Sequence, residues 1–382
     1  MVFGGETLRR RLLQKTFMSL LNNWPMKQAN VATYGAVIFF GMVKCFMQTR
    51  TDSISPCASP LVNLIRDRKG RTKYAFMTLG ANLAVVVILF RRRCGLSGCV
   101  TFYLFAMAVT DLLVIITAVI LNRIVGIYFP FSFFFITPVC SVSFALIYGV
   151  RDCSVWATVV FTFDRYVAIC CPKLKTRYCT KKTAVTVIVT VCVVSCLRNI
   201  PWYFIYEPSF EVRDVPWQCK IKLLFYSWPS WAAFDWLHRI LTPCLPFILI
   251  LLLNALTVKD ILEGIRIRRR LLGNGNSENQ NDPEIESRRK SIILLFCISV
   301  SFLLSWLLFF TTFLFVRMAN VSYYSGSNVK DSNFILEESG FMLQLLGSCI
   351  NPFIYTGTQN NFRKEMKNGI LYPFNLIIRL FN

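Results

Sequence analysis

The chain has 382 residues, of which 55% are hydrophobic and only 16% are charged, and its formal net charge at pH 7 is +22. So few charged residues cannot cover a water-soluble globule of this size, which places the chain in a lipid bilayer. The positive charge fits contact with anionic headgroups rather than nucleic acid, and the sequence has no catalytic residue set, phosphate loop or metal-ligand spacing that would favour an enzyme.

Residues 1–73 differ in composition from the rest of the chain. They contain 12 Lys and Arg against three Asp and Glu, and they include a short apolar stretch at 31–47. Three interpretations stay open: a signal peptide or signal anchor, an additional helix, or an artefact of the gene model that replaced the natural N-terminus. No function is assigned to this segment.

Seven apolar runs follow, each close to the roughly 20 residues that a helix needs to cross the hydrocarbon core. They lie near 74–90, 100–121, 139–163, 183–206, 232–257, 291–316 and 334–356. The chain is therefore predicted to be an all-α membrane protein, a seven-transmembrane helix bundle with its core at 74–356.

The connections on one side of the predicted bundle are much more basic than those on the other. The first, third and fifth connections and the C-terminal tail hold 20 Lys and Arg, against seven in the three opposite connections. Basic loops stay on the cytoplasmic side, so the C-terminus is predicted to be cytoplasmic and the even-numbered connections to face outward. The basic residues just before residue 74 violate this pattern.

Two of the 15 cysteines lie at positions where a disulfide would stabilise the fold. Cys140 opens the third span, and Cys219 lies in the outer connection between the fourth and fifth spans. A disulfide between them would pin that connection over the bundle in an oxidising compartment; the alternative is two free thiols. Asn320, in the sequence Asn-Val-Ser after the sixth span, is a candidate glycosylation site.

Two short motifs end the third and seventh spans: Asp164-Arg165-Tyr166 in the one, and Asn351-Pro352 with Tyr355 in the other. Asp164 can hold the Arg165 guanidinium in a resting state, and release of the pair would turn Arg165 toward a partner protein. The alternative is an interfacial arginine that reaches the headgroups. Pro352 removes a backbone donor and loosens its helix.

In combination these motifs resemble the rhodopsin-like (class A) family of G-protein-coupled receptors over about residues 74–370. The residues that carry the resemblance are, in chain order, Asn82, Ala108, Asp111, Cys140, Asp164-Arg165-Tyr166, Cys219, Pro246, Trp306, Asn351-Pro352 and Tyr355. Residues 163–171 and 236–239 resemble more narrowly the orphan branch called G-protein-coupled receptor 139-like, which is associated with aromatic amino acids and short peptides.

The resemblance implies a multi-pass receptor of the plasma membrane that binds a small extracellular ligand and activates heterotrimeric G proteins, of the Gq type by its branch. The ligand would be an amino acid or short peptide with an aromatic group. A non-signalling decoy receptor is the alternative, with a membrane transporter as a weaker one, because the sequence shows no repeated halves. No cofactor is expected, and arrestin stays open as a partner.

Asp111 is an acidic residue near the middle of an apolar helix. Because an acidic side chain within the membrane costs free energy, such a residue is expected to have a functional role. The resemblance implies that Asp111, Ser154, Ser348 and Asn351 surround an allosteric sodium ion; no other metal is expected. Gly347 stands where the family often has Asn, which removes one ligand of the ion.

The ligand site is predicted in the outer half of the bundle, where intramembrane charges cluster. Its candidate residues are Ile147, Tyr148, Arg151, Asp152, Asp235, His238, Arg239, Trp306, Glu337, Glu338 and Phe341. Both signs of charge beside aromatic rings would suit a zwitterion or a peptide end; the alternative is that the charges neutralise one another. Ile147 replaces the acid of amine receptors, and 334–356 contain no Lys for an opsin.

Residues 357–382 are predicted to form a short amphipathic helix on the cytoplasmic membrane surface and a short tail, with apolar Ile370, Leu371 and Phe374. The third inner connection has basic ends and a Gly/Asn-rich centre, which suits contact with a G protein. Phosphorylation-dependent arrestin binding is expected to use Ser277, Ser287 or Ser291.

Overall fold

The computed structural model describes residues 68–91, 94–272, 283–318 and 332–368. Within these ranges the chain forms seven long helices, α1 to α7, and a β-hairpin. The apolar stretch at 31–47 lies outside the described residues, as do Asn320, Ser277, Ile370, Leu371 and Phe374. Ser287, Glu337 and Glu338 belong to described helices, but their side chains are outside the described part.

The helices follow the seven predicted spans with shifted ends. Helix α1 is Arg68–Phe90, α2 is Gly98–Tyr128, α3 is Thr137–Cys170 and α4 is Lys181–Arg198. Helix α5 consists of Pro229–Arg239, a distorted segment at Ile240–Cys244, and Leu245–Leu272. Helix α6 is Pro283–Met318 and α7 is Ser332–Thr358.

Among the described residues, five helical stretches are long and apolar enough to cross a membrane: Gly98–Tyr128, Thr137–Cys170, Lys181–Ile205, Pro229–Gly264 and Lys290–Leu314. Ala75–Phe90 of α1 is a shorter apolar helix. Helix α1 begins at Arg68, six residues before the predicted span. The all-α membrane fold is confirmed, and the predicted core boundary at residue 74 falls inside a helix.

Helix α3 lies at the centre of the bundle and packs against α2, α4, α5 and α6. Two apolar clusters hold it there: one joins Phe161 to Leu104 and Tyr355, and the other joins Val159 to Phe302. Because α3 is surrounded, polar residues on its different faces meet different neighbouring helices. This fixes which of its charges can share a site.

Helices α2 and α5 depart from regular α-geometry, whereas α6 is continuous. Residues Ile115–Ile124 of α2 form a wider π-type turn, and the helix extends to Tyr128, beyond the predicted end at 121. Helix α5 breaks at Thr242, whose φ of −152° and ψ of 107° are extended, next to Pro243. The break therefore precedes Pro246, the proline that carried the family resemblance.

A β-hairpin follows α4, where the sequence predicted only a long connection. Strands β1 (Tyr206–Val212) and β2 (Val215–Ile221) pair antiparallel and are joined by a two-residue turn at Arg213 and Asp214, both with positive φ. Cys219 of β2 forms the predicted disulfide with Cys140 at the start of α3. The bridge is confirmed, and it fixes the hairpin against the end of α3.

A short helix at 360–368 follows α7. Phe362 and Met366 are buried in the same apolar cluster as Tyr355, while the basic residues beside them are exposed. Arg363 donates hydrogen bonds to the backbone carbonyls of Thr356 and Gly357, both at 3.0 Å, and so satisfies the free end of α7. The predicted amphipathic helix is thus present through residue 368.

Candidate functional site

The Asp164-Arg165-Tyr166 motif lies in the last turns of α3. The carboxylate of Asp164 is fully buried and accepts hydrogen bonds from Nε of Arg165, at 3.1 Å, and from Nη2. The thiol of Cys99 on α2 donates to the other oxygen of Asp164 at 3.0 Å. Arg165 Nη1 also donates to Ser291 Oγ on α6, at 3.4 Å. Arg165 therefore joins α3 to α6 while Asp164 restrains it, and Tyr166 stays half-buried beside the pair.

The proline of α7 has a matched partner on α1. Pro352 has no backbone N–H, so the carbonyl of Ser348, four residues earlier, loses its donor within the helix. Asn82 supplies a donor instead, because its Nδ2 lies 3.2 Å from that carbonyl oxygen. Tyr355, one turn further along α7, is buried and packs edge-on against Phe362 at 6.0 Å between ring centroids. Helix α7 thus lacks one internal hydrogen bond at Ser348, and Asn82 of α1 supplies a replacement.

Asp111 lies at the centre of a polar cluster between α2, α3 and α7. Ser154 Oγ donates to one carboxylate oxygen at 2.9 Å, and Asn351 Nδ2 donates to the other at 2.6 Å. Ser348 lines the same small cavity, as do Trp306 and Arg151. Carboxylate, hydroxyl and amide oxygens are the donors that a hard cation prefers. The four residues predicted for a sodium site are therefore brought together.

Gly347 has a packing role at this cavity. A Cβ placed on Gly347 would lie 3.1 Å from both Cβ and Oγ of Ser305 on α6, closer than ordinary van der Waals contact. An asparagine there would have to displace Ser305 or separate the two helices. The glycine that departs from the family pattern thus allows α6 and α7 to approach closely.

A second cavity lies nearer the hairpin end of the bundle. The helices contribute Tyr148 and Arg151 from α3, Arg239 from α5 and Phe341 from α7. Trp202 and Ile221, from the segment between α4 and α5, line it from the hairpin side. Its remaining walls are Phe225, Phe309, Thr312 and Phe313. Four of the predicted ligand residues therefore share one cavity.

The other predicted ligand residues whose side chains the structure describes do not line this cavity. Asp152 and His238 belong to a polar network between α3, α4 and α5. Ile147 packs with Val114, Ala118 and Leu345 in an apolar cluster, and Trp306 packs with Phe302 below the cavity. Asp235 accepts a hydrogen bond from Arg239 Nε at 3.4 Å. The expectation that all these charges face one site does not match the geometry, because α3 presents Arg151 and Asp152 to different neighbours.

The network around Asp152 depends on two residues, Arg198 and Asn199, that were not among the predicted site residues. Arg198, in the last turn of α4, pairs with Asp152 and donates to Thr242 Oγ1 at 2.8 Å. Asn199 donates to the same carboxylate and lies 3.1 Å from His238 Nε2. The extended backbone at Thr242 places its hydroxyl in this network. Asp152 is thus a structural acid between three helices.

Replacement of Arg198 by leucine is expected to lower the free energy of unfolding by about 2 kcal/mol, because hydrogen bonds to a buried charge each contribute about that much. Thermal unfolding of the purified protein in detergent measures the loss. The matched control is Arg177→Leu, which removes an exposed arginine from the helix Pro172–Tyr178. Equal stabilities of the two variants would contradict the role given to Arg198.

Comparison with known proteins decides the family. Residues 81–355 match the family model described as 7 transmembrane receptor (rhodopsin family). The chain belongs to the rhodopsin family of seven-transmembrane receptors. This receptor therefore contains the family's helical core from within α1 to Tyr355, and the family is one of receptors rather than enzymes.

Three relatives illustrate how distant the similarity is. The receptor is 26% identical to neuromedin-U receptor 2 of Rattus norvegicus over 296 residues, which cover 76% of this chain and 71% of the relative. It is 25% identical to the thyrotropin-releasing hormone receptor of Bos taurus over 305 residues, 75% and 73% of the two chains. It is 23% identical to the B2 bradykinin receptor of Oryctolagus cuniculus over 240 residues, 62% and 61%.

Proposed function

We propose that this receptor binds an extracellular amino acid or short peptide with an aromatic group and activates heterotrimeric G proteins of the Gq type. The relatives are named for neuromedin U, bradykinin and thyrotropin-releasing hormone, which favours an extracellular messenger as the ligand. The aromatic group follows from the narrower resemblance at 163–171 and 236–239. The C-terminus is then cytoplasmic in the plasma membrane, with arrestin as a further candidate partner.

One observation carries the signalling part of the proposal. Arg165 is held by Asp164 and contacts Ser291 of α6, so movement of α6 away from α3 must break at least one of its hydrogen bonds. At the opposite end of the bundle, Phe309 and Phe313 of α6 line the outer cavity. A ligand in that cavity therefore touches the helix that Arg165 restrains, as a two-state switch requires.

The test is calcium and cyclic-AMP signalling in cells that express the full chain, across a panel of amino acids and short peptides. A calcium response from surface-expressed receptor supports Gq-type coupling. A cyclic-AMP response without calcium release would instead indicate coupling to a different type of G protein. Ligand binding without any second-messenger response would overturn the signalling role and leave a decoy receptor. Net uptake of a panel compound would indicate a transporter instead.

We further propose that the cluster around Asp111 holds a sodium ion. If so, replacing choline chloride by sodium chloride at constant ionic strength should raise the melting temperature of the purified receptor. Asp111→Asn should abolish the rise, because it removes the charge that attracts the cation. The control is Asp260→Asn, a carboxylate on the long second segment of α5. A sodium effect that survives in Asp111→Asn would contradict this proposal.

A further inference from the structure

The charged side chains that line the outer cavity are both arginines. Arg151 and Arg239 come from α3 and α5, and each is more than nine-tenths buried. An arginine guanidinium stays protonated in proteins. Burial in a cavity of low dielectric strengthens the attraction between such a group and an anion. Among the described residues, the cavity wall is therefore cationic.

The two described acidic residues nearest the cavity, Asp152 and Asp235, do not line it. Asp152 is turned toward α4, where it pairs with Arg198 and Asn199. Asp235 is paired with Arg239 on its own helix. Neither acid lines the cavity among the described residues. A ligand carboxylate in this cavity would thus meet guanidinium groups, whereas no described carboxylate lines the wall to receive a ligand ammonium.

Aromatic rings set the orientation of the guanidiniums. The Cζ of Arg151 lies 4.8 Å from the ring centroid of Phe341, and the Cζ of Arg123, from the π-type turn of α2, lies 4.5 Å from the same centroid. The Cζ of Arg239 lies 5.3 Å from Phe309 and 5.2 Å from Phe313. Stacking uses the face of a guanidinium, whereas its N–H donors lie in its plane. These donors match the two oxygens of a carboxylate.

We propose that the outer cavity is an acid-binding pocket, in which Arg151 and Arg239 hold the carboxylate of an aromatic ligand. The rings of Tyr148, Trp202 and Phe341 then contact its aromatic group. Tyr148 and Trp202 already stack at 4.1 Å between ring centroids, which forms a flat apolar wall. The inference deepens the proposed function and rests on it, because it names the ligand group that this receptor selects.

The experiment compares related aromatic compounds that differ in whether they carry a carboxylate, an ammonium group or both. The probes are L-phenylalanine, L-phenylalaninamide, 3-phenylpropionate and phenethylamine, with the dipeptide glycyl-phenylalanine as free acid and as amide. Binding is read as the rise in melting temperature of the purified full chain, and signalling as calcium release in cells. Both are measured for the original receptor, Arg151→Gln, Arg239→Gln and the conservative Arg151→Lys.

Each acid is expected to bind at least tenfold more tightly than its amide, and 3-phenylpropionate more tightly than phenethylamine. Arg151→Gln and Arg239→Gln should each weaken the acids at least tenfold and leave the amides nearly unchanged, while Arg151→Lys recovers part of the loss. The control Arg213→Gln removes an exposed arginine of the hairpin turn and should change neither series.

Equal affinities for acids and amides, tighter binding of phenethylamine, or no stabilisation by any acid would each overturn the acid-binding pocket. The two proposals can fail separately. A receptor that signals through Arg165 without preferring acids keeps the proposed function and loses the pocket. A receptor that acids stabilise, but that releases no second messenger, keeps the pocket and loses the signalling role.

Discussion

Arg165→Ala is expected to reduce second-messenger signalling at least tenfold while the receptor still reaches the cell surface. The Arg165 guanidinium links α3 to α6. When its hydrogen bonds to Asp164 break, it would become available to contact a G protein. Alanine cannot make either contact. Calcium release, normalised to receptor labelled by surface biotinylation, measures the effect in the basal and the ligand-stimulated state.

Two companion variants separate signalling from stability. Arg165→Lys keeps the positive charge beside the buried Asp164 but loses the planar donor set, so intermediate signalling is expected. Arg213→Ala removes an exposed arginine from the hairpin turn and should signal normally. Full signalling by Arg165→Ala would show that Arg165 is an interfacial arginine and that the switch lies elsewhere.

Loss of the disulfide is expected to have the largest effect on stability. Cys140 and Cys219 are separated by 79 residues, and closing a loop of that length in the unfolded chain corresponds to about 4 kcal/mol in the loop-entropy description. Ile221, two residues beyond Cys219, lines the outer cavity, so release of the hairpin also opens that wall. Cys219→Ser should therefore lower both the melting temperature and the response to ligand.

Cys297→Ser is the matched control, because Cys297 is a free and exposed cysteine of α6. It should leave the surface amount and the melting temperature unchanged. The double variant Cys140→Ser with Cys219→Ser should be no less stable than Cys219→Ser alone, since the bridge is already absent. If all three variants had the same melting temperature as the original receptor, the disulfide would not stabilise the fold.

The fold was largely predictable because membrane helices must be long and apolar. The seven long helices and the bridge were predicted from hydropathy, cysteine position and motif order. The structure also brings Asp111, Ser154 and Asn351 together, as the resemblance implied. Such residues belong to elements whose orientation the bundle fixes.

The outer cavity was harder to predict because it depends on where helices end. Arg123 lies beyond the predicted end of the second span, although the π-type turn keeps α2 helical there. Arg198 was counted with the outer connection although it lies inside the predicted fourth span, and in the structure it ends α4 and pairs with Asp152. Helix ends are the least reliable part of a sequence-based prediction.

The aromatic wall was missed for a different reason. Trp202 lies in a short 3-10 segment after α4, and Phe225 lies in a helix of four residues before α5. Neither segment has a periodic pattern that would reveal it. Only the fold brings the ring of Trp202 to 5.2 Å from His238 and 4.1 Å from Tyr148.

Arg151 lines both cavities, the polar one around Asp111 and the aromatic one near the hairpin. A bound carboxylate and a bound cation would thus both interact with the same arginine. Binding linkage is reciprocal, so any factor by which sodium changes the affinity for a ligand acid equals the factor by which the acid changes the affinity for sodium. If both sites are occupied as proposed, sodium concentration and affinity for a ligand acid would be linked through Arg151.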